Sequence, residues 1–220
     1  HLNYFERLVK LSNGSMALWS GEGRQDVFTL SGTQYVSPKG FYATLIKNAN
    51  GTFTLTDKEG TAKSYDVPGK LTRIQDRNGN AIVLAYDPAG LLPIIGPVGN
   101  GARGEIGRGY RLTQVTGTNG RVATLTYNAD GLLSSIKDVT GNRTVSFAYD
   151  ADNNLIKVTK PATGQFPAGV TKSFTCDARH NVLTVKDGKL QTYITNVYDT
   201  RNRVVQQTYG TGIFRYAYGV

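Results

Sequence analysis

Six times in 220 residues the chain repeats one short phrase. The copies are "SYDVPGKL" from Ser64, "AYDPAGLL" from Ala85, "TYNADGLL" from Thr126, "AYDADNNL" from Ala148, "TCDARHNV" from Thr175 and "VYDTRNRV" from Val197. Their anchors are Tyr65, Tyr86, Tyr127, Tyr149, Cys176 and Tyr198, separated by 21, 41, 22, 27 and 22 residues. The two long intervals become regular if loops are inserted, and "PIIGPVGNGARGEIGRGY" (93–110) and "PATGQFPAG" (161–169) are such loops. A fixed period of this length means that one small supersecondary unit is stacked along the chain.

Each copy has a local physical reading. In "TVSFAYD" Val145, Phe147 and Tyr149 alternate with Thr144, Ser146 and Ala148, and in "VATLTY" Ala123, Leu125 and Tyr127 alternate with threonines. Period-2 alternation is the mark of a strand with one buried face. The residue after the anchor (Asp66, Asp87, Asn128, Asp150, Asp177 or Asp199) opens a turn by binding the backbone ahead of it. A Gly three residues on, as in Asp66–Gly69 and Asp87–Gly90, suits the turn's end. The next strand, such as "LTRIQD" or "LSSIKD", then runs to a second turn at "RNGN" (77–80), "TNGR" (118–121) or "VTGN" (139–142). Asn-Gly predicts a short hairpin turn there, because both residues tolerate positive φ. One repeat is strand, turn, strand, turn.

A single hairpin cannot bury its apolar face, whereas stacked hairpins can. The expected fold class is therefore all-β: repeated antiparallel β-hairpins stacked into a spiral or curved sheet. Residues 1–63 are expected to be lead-in hairpins, and 64–220 the repeats with their two insertions. The anchor tyrosines fall on one side, and their hydroxyls require partners if buried. Cys176 occupies the tyrosine slot and is expected to pack as a small hydrophobe.

Composition narrows the alternatives. A chain 39% hydrophobic and 10% aromatic is too apolar for a disordered one, and it has no apolar run of membrane-spanning length. One cysteine rules out an internal disulfide or a multi-cysteine zinc site. The net charge of +9 is spread along the chain without a Lys/Arg run interleaved with aromatics, which argues against nucleic acid as the partner. The chain opens on His1 and closes inside a strand pattern at "FRYAYGV", so it is expected to be a piece of a longer protein.

With the copies aligned, the sequence resembles the RHS/YD-repeat family, whose signature is Tyr-Asp followed by Gly or Asn and an apolar residue. The motif covers 64–220, and "HLNYFERLVKL" with "YVSPKGFYATLIKNANGTFTLTDKEG" resembles the lead-in of bacterial members. The resemblance implies a ribbon of hairpins wound into a hollow shell. In bacterial polymorphic toxins and insecticidal toxin complexes such a shell encloses a C-terminal toxin, and in teneurins it serves cell-surface adhesion. It also implies a secreted, extracellular or cell-surface setting and a bacterial origin. This chain has too few hairpins to enclose a toxin alone, and it lacks a recognisable toxin domain.

The implied role is structural and non-catalytic, with no cofactor and no metal. The residues that define it are Tyr65, Asp66, Tyr86, Asp87, Tyr127, Asn128, Tyr149, Asp150, Cys176, Asp177, Tyr198 and Asp199. Implied partners are further repeats of a longer parent, or self-association through open sheet edges, and a toxin cargo. The alternative function is an adhesion or carbohydrate-binding module that recognises a glycan or receptor through exposed tyrosines and basic side chains. Where Tyr86, Tyr127, Tyr149 and Tyr198 point separates the two readings.

Other motifs reduce to turns. "DPAGLL" (87–92) resembles the self-cleavage motif of the family's core but is in frame as the second repeat, with Pro at a turn position that favours it. "DADNN" (150–154) starts like a calcium loop, yet Leu155 and Pro161 stand where Gly and Glu are required. His180 lies in a repeat turn with no nucleophile motif beside it. The Gly-rich 93–110 segment lacks the Lys-Ser/Thr of a phosphate-binding loop. It is expected to project as a loop and, with 161–169, to be a candidate contact surface. Sequons at Asn13, Asn50 and Asn142 fall at expected turns.

Overall fold

The computed structural model describes residues 6–87, 92–93, 108–109 and 111–219. It is all-β: the strand pairings are antiparallel, and no helix occurs among the described residues. The chain divides after Val122 into two compact parts.

The first part holds β1 (Arg7–Lys10), β2 (Met16–Trp19), β3 (Gln25–Ser31), β4 (Gln34–Val36), β5 (Ala43–Lys47) and β6 (Phe53–Asp57). It continues with β7 (Ala62–Tyr65), β8 (Leu71–Gln75), β9 (Ala81–Tyr86), the two-residue β10 (Leu92–Pro93) and β11 (Arg108–Gly109), and β12 (Leu112–Thr116). Consecutive strands from β1 to β9 pair as a meander, and β9 then pairs with β12. β3 serves two neighbours, with residues 25–28 against β2 and 29–31 against β4. β1 turns back across the first repeat, where the Leu8 amide donates to the Gly69 carbonyl at 2.9 Å and Arg7 bridges Lys70. That crossing builds the core: Leu8, Met16, Leu18, Phe28, Leu45, Phe53, Leu55, Tyr65, Leu71 and Leu84 are buried. Phe28 meets Phe41 edge-on at 5.5 Å and Tyr35 meets Phe53 at 6.0 Å, an arrangement the ring quadrupole favours.

The second part is a meander of β13 (Val122–Tyr127), β14 (Leu133–Asp138), β15 (Arg143–Tyr149), β16 (Leu155–Thr159) and β17 (Thr171–Cys176). β18 (Val182–Lys186), β19 (Thr192–Tyr198), β20 (Val204–Tyr209) and β21 (Gly212–Arg215) complete it. Each strand pairs with the next. Here the apolar face is mostly half-buried, and Leu125 and Val185 are its buried hydrophobic side chains.

Two expectations change. The Asn-Gly turns are not two-residue hairpins with paired positive φ. Asp76 and Asn80 close a three-residue loop in which Gly79 alone takes positive φ, at 88°. The three-residue loop wins because Asp76 binds the amides of Asn78 and Asn80 at 2.8 and 2.9 Å, which stabilises a right-handed turn before the glycine. The second difference concerns the repeat at Tyr86. Its partner across the sheet is Leu112, and the Asp87 amide donates to the Arg111 carbonyl at 2.9 Å. The long insertion therefore opens inside this repeat's turn, between Asp87 and Arg111, not after a finished turn and strand. "RLTQVT" (111–116) is the returning strand, the counterpart of "KLTRIQ" (70–75). The reading of Asp87–Gly90 as a closed turn falls, beyond Asp87, outside the described residues, as does most of 93–110.

Candidate functional site

The chemistry of this chain is concentrated at the repeat anchors. A β-bulge recurs at every one of the six. Tyr65 faces Leu71 while Ser64 faces Arg73, so Thr72 is an extra residue on the returning strand. The same one-residue shift places Thr113 opposite the Tyr86 repeat, Ser134 opposite Tyr127, Ile156 opposite Tyr149, Leu183 opposite Cys176 and Val205 opposite Tyr198. Bulges bend a strand and increase its twist. Where the extra residue is Thr its hydroxyl is used too, with Thr72 Oγ1 donating to Ser64 O at 3.1 Å and Thr113 Oγ1 to Ala85 O at 3.2 Å.

Into the first residue of that bulge the next repeat delivers its tyrosine. The Tyr86 hydroxyl donates to Leu71 O at 2.7 Å, Tyr149 to Leu133 O at 2.9 Å and Tyr198 to Val182 O at 2.9 Å. Tyr218 repeats the bond to Val204 O at 2.7 Å, making it a seventh anchor. Its Tyr-Gly sequence lacks the acid of the signature, and only the 20-residue interval from Tyr198 marks it. Basic side chains lie over two of these rings, Lys70 at 5.4 Å from Tyr86 and Arg203 at 4.5 Å from Tyr218, within cation–π range. Tyr86, Tyr127, Tyr149 and Tyr198 are half-buried, between the two extremes that would separate core from contact surface. Burial raises the phenol of Tyr149, and burial followed by the nearby Asp66 raises that of Tyr86.

Tyr65 differs. It is buried and donates to the Glu6 carboxylate, which also binds Lys63 Nζ at 2.7 Å. Burial first, and the Glu6 charge second, hold its phenol far above the ordinary value. Glu6 belongs to the lead-in and no repeat signal points to it.

Five of the six residues after the anchors, four Asp and one Asn, perform one task. Asp66 Oδ1 accepts the Lys70 amide at 2.6 Å, and Asn128 Oδ1 that of Leu132 at 2.8 Å. Asp150 Oδ1 accepts the amide of Asn154, Asp177 that of Asn181 and Asp199 that of Arg203, at 2.8, 2.9 and 2.9 Å. The residue three beyond is left-handed throughout: Gly69, Gly131, Asn153, His180 and Asn202. Asn153 thus takes the glycine slot in "DADNN". Asn and His tolerate this conformation at modest cost. Side-chain and backbone hydrogen bonds from Asn154 and Asn181 hold Asp150 and Asp177 below the usual carboxylate range, and bonds from Arg203 do the same for Asp199.

Neighbouring turns are also joined to each other. His180 Nδ1 lies 2.8 Å from Asn154 Oδ1, Asn181 Nδ2 donates to Asn202 Oδ1 at 3.1 Å, and Arg179 donates to Thr200 O at 3.2 Å. Sequence gave these contacts no signal, since each pair lies 21 or 26 residues apart. Cys176 is half-buried, and its thiol is raised, by burial first and then by Asp150 and Asp177. A raised thiol is a poor nucleophile.

Among the described residues no group of three His, Cys, Asp or Glu side chains is placed to hold a metal, and no helix is long and apolar enough to cross a membrane. The "DPAGLL" segment beyond Asp87 lies outside the described residues except for Leu92. The sequon residues Asn13, Asn50 and Asn142 are exposed in turns. The 161–169 insertion is closed by the Lys160 amide donating to Val170 O at 2.8 Å.

The RHS repeat family model matches residues 107–143 and 127–165. Mouse teneurin-4 is 29% identical over 120 residues, 54% of this chain and 4% of that protein. The crystal structure of TcdB2-TccC3-Cdc42 is similar over 91% of this chain and 12% of that one, at 15% identity and a TM-score of 0.48. TcdB2-TccC3 without its hypervariable C-terminal region is similar over 89% and 11%, at 16% identity and a TM-score of 0.48. The chain thus spans a small fraction of the length of each. A Tyr-Asp phrase repeated in sequence, one bulge and one turn repeated in structure, and the family match converge: residues 107–165 match the RHS repeat, and the chain is similar to RHS/YD-repeat proteins.

Proposed function

We propose that this chain is a non-catalytic structural segment of an RHS/YD-repeat β-shell in a secreted or delivered bacterial protein, where it helps to enclose a toxin cargo. The observation that carries the reading is where the anchor hydroxyls go. Tyr86, Tyr149, Tyr198 and Tyr218 each donate to the backbone of the preceding repeat. The hydroxyls of these four anchors are engaged in joining hairpins, which is what a wall requires. The repeat-defining role of Tyr65, Asp66, Tyr127, Asn128, Asp150, Cys176, Asp177 and Asp199 belongs to the same reading, as do further repeats as the chain's immediate partners.

The test uses the full-length protein. Its segment beyond the repeats is expected to resist protease until the repeats are unfolded, and to be digested at once when expressed alone. Digestion at equal rates in both settings overturns the reading. Retention of the chain on a glycan array would replace it with the adhesion alternative.

A further inference from the structure

The two rims of the second part differ in chemistry. In an antiparallel meander alternate turns lie at the same end of the strands. One rim carries the repeat turns at 128–132, 150–154, 177–181 and 199–203. These hold Asp130, Asp150, Asp152, Asp177 and Asp199 against Arg179, Arg201 and Arg203, and no large hydrophobic side chain is exposed in them. The other rim carries the turns at 138–143, 160–170, 187–191 and 209–212. Each of these exposes one large apolar side chain: Val139, Phe166, Leu190 and Tyr209.

Charge follows the same division. In these four turns or within two residues of them lie Lys137, Arg143, Lys160, Lys172, Lys186 and Lys189, against Asp138 and Asp187. Leu190 is the sharpest feature. It is 67% exposed and held at φ 63°, in the slot that Gly, Asn or His fills in the sister turns. The left-handed conformation is costly for a branched apolar residue, and such strain is a pointer to function when it is observed.

We infer that this rim docks on an anionic lipid bilayer surface. Strands lie about 4.8 Å apart, so successive turns on one rim are about 10 Å apart. The apolar tips are therefore separate wedges in a row, not walls of one pocket. A row of wedges flanked by lysines suits a fluid surface, where each side chain enters the interfacial zone independently and anionic headgroups meet the ammonium groups. A folded protein partner would instead require a shared concave or flat apolar patch.

The experiment is sedimentation of the 220-residue chain with vesicles of phosphatidylcholine, with and without phosphatidylserine. Binding is expected only with phosphatidylserine and is expected to weaken with salt. Lys160→Gln and Lys189→Gln are each expected to weaken it about fivefold, and Arg201→Gln on the opposite rim to leave it unchanged. Leu190→Gly is expected to weaken it about tenfold while raising the thermal midpoint, so lost binding cannot be mistaken for lost folding. Equal binding to both vesicles, unchanged binding by Leu190→Gly, or capture by polyglutamate without vesicle binding would each overturn the inference.

Discussion

A tyrosine hydroxyl placed 2.9 Å from a carbonyl of the previous hairpin is a small device, but it fixes which residue of one repeat meets which residue of the next. Its contribution is that of one net hydrogen bond, about 1 kcal/mol. Tyr149→Phe removes the hydroxyl from Leu133 O and is expected to lower stability by about that amount in urea denaturation. Tyr198→Phe is expected to cost less, because Asn196 Nδ2 also donates to Val182 O at 2.9 Å and keeps that carbonyl satisfied. Equal losses would mean that the second donor does not substitute for the first. Glycine is demanded strictly where a backbone carbonyl oxygen blocks a Cβ, as at Gly69 and Gly169. A Cβ on Gly69, at φ 91°, would stand 2.0 Å from Leu8 O, whereas on Gly79, at φ 88°, its nearest neighbour would be a Gln75 side-chain nitrogen 3.6 Å away. Gly79→Ala is therefore expected to cost about 1 kcal/mol, and Gly69→Ala about 3 kcal/mol or more, by thermal denaturation.

At the scale of the element, the unit is an acid-anchored turn followed by a bulged return strand. The same turn closes both ends of several strands: Asp76 and Asp187 bind the backbone as Asp150 and Asp177 do. The carboxyls of Asp76, Asp150, Asp177 and Asp199 lie below the usual carboxylate range because hydrogen bonds favour their charged form. A depressed folded value contributes stability that is complete above the unfolded value near ~3.9, and that is lost as pH falls through the folded values. The urea midpoint is thus expected to hold steady down to about pH 5 and to drop below about pH 4. Asp177→Asn is expected to shrink that acid-side drop, and an unchanged drop would remove this turn from the account. The element was only partly legible. Tyr-Asp, the period and the alternation are local, so the strands and turns could be read directly. The bulge was hidden, because an extra residue on the returning strand shows only when its partner strand is known. The length of the Asn-Gly loops is hidden for a related reason: it is set by which residues close the loop across the sheet, Asp76 with Asn80 and Gly117 with Arg121, so an Asp before the pair supports the longer turn but is not required for it.

Across the whole chain, burial is uneven. The first part has β1 crossing the first repeat, with Leu8, Met16, Phe28, Phe53 and Leu71 buried beneath and beside it. The second part has only Leu125 and Val185 as buried hydrophobic side chains among the described residues, and a largely half-exposed apolar face. Regions with few buried apolar contacts open more readily. Amides of β5 to β8 are expected to exchange with deuterium more slowly than those of β14 to β20, as read by mass spectrometry of peptic fragments. Faster exchange in β5 to β8 would show that the crossing strand does not anchor this part. A protein built this way gains burial from neighbouring strands, which is what the proposed shell would supply.

The repeat, the all-β class, the anchor positions and the polar turns are legible in the chain alone, because each follows from nearest-neighbour backbone preferences and a period of two. Tertiary structure alone decided the rest. The pairing of Tyr86 with Leu112 spans 26 residues and passes over the "DPAGLL" copy that looked complete. The Glu6 contact with Tyr65 spans 59, and the joining of His180 to Asn154 spans 26. Such contacts depend on register and on which strands become neighbours, and these are set by the summed burial of the sheet. Local residue preference carries no record of that sum.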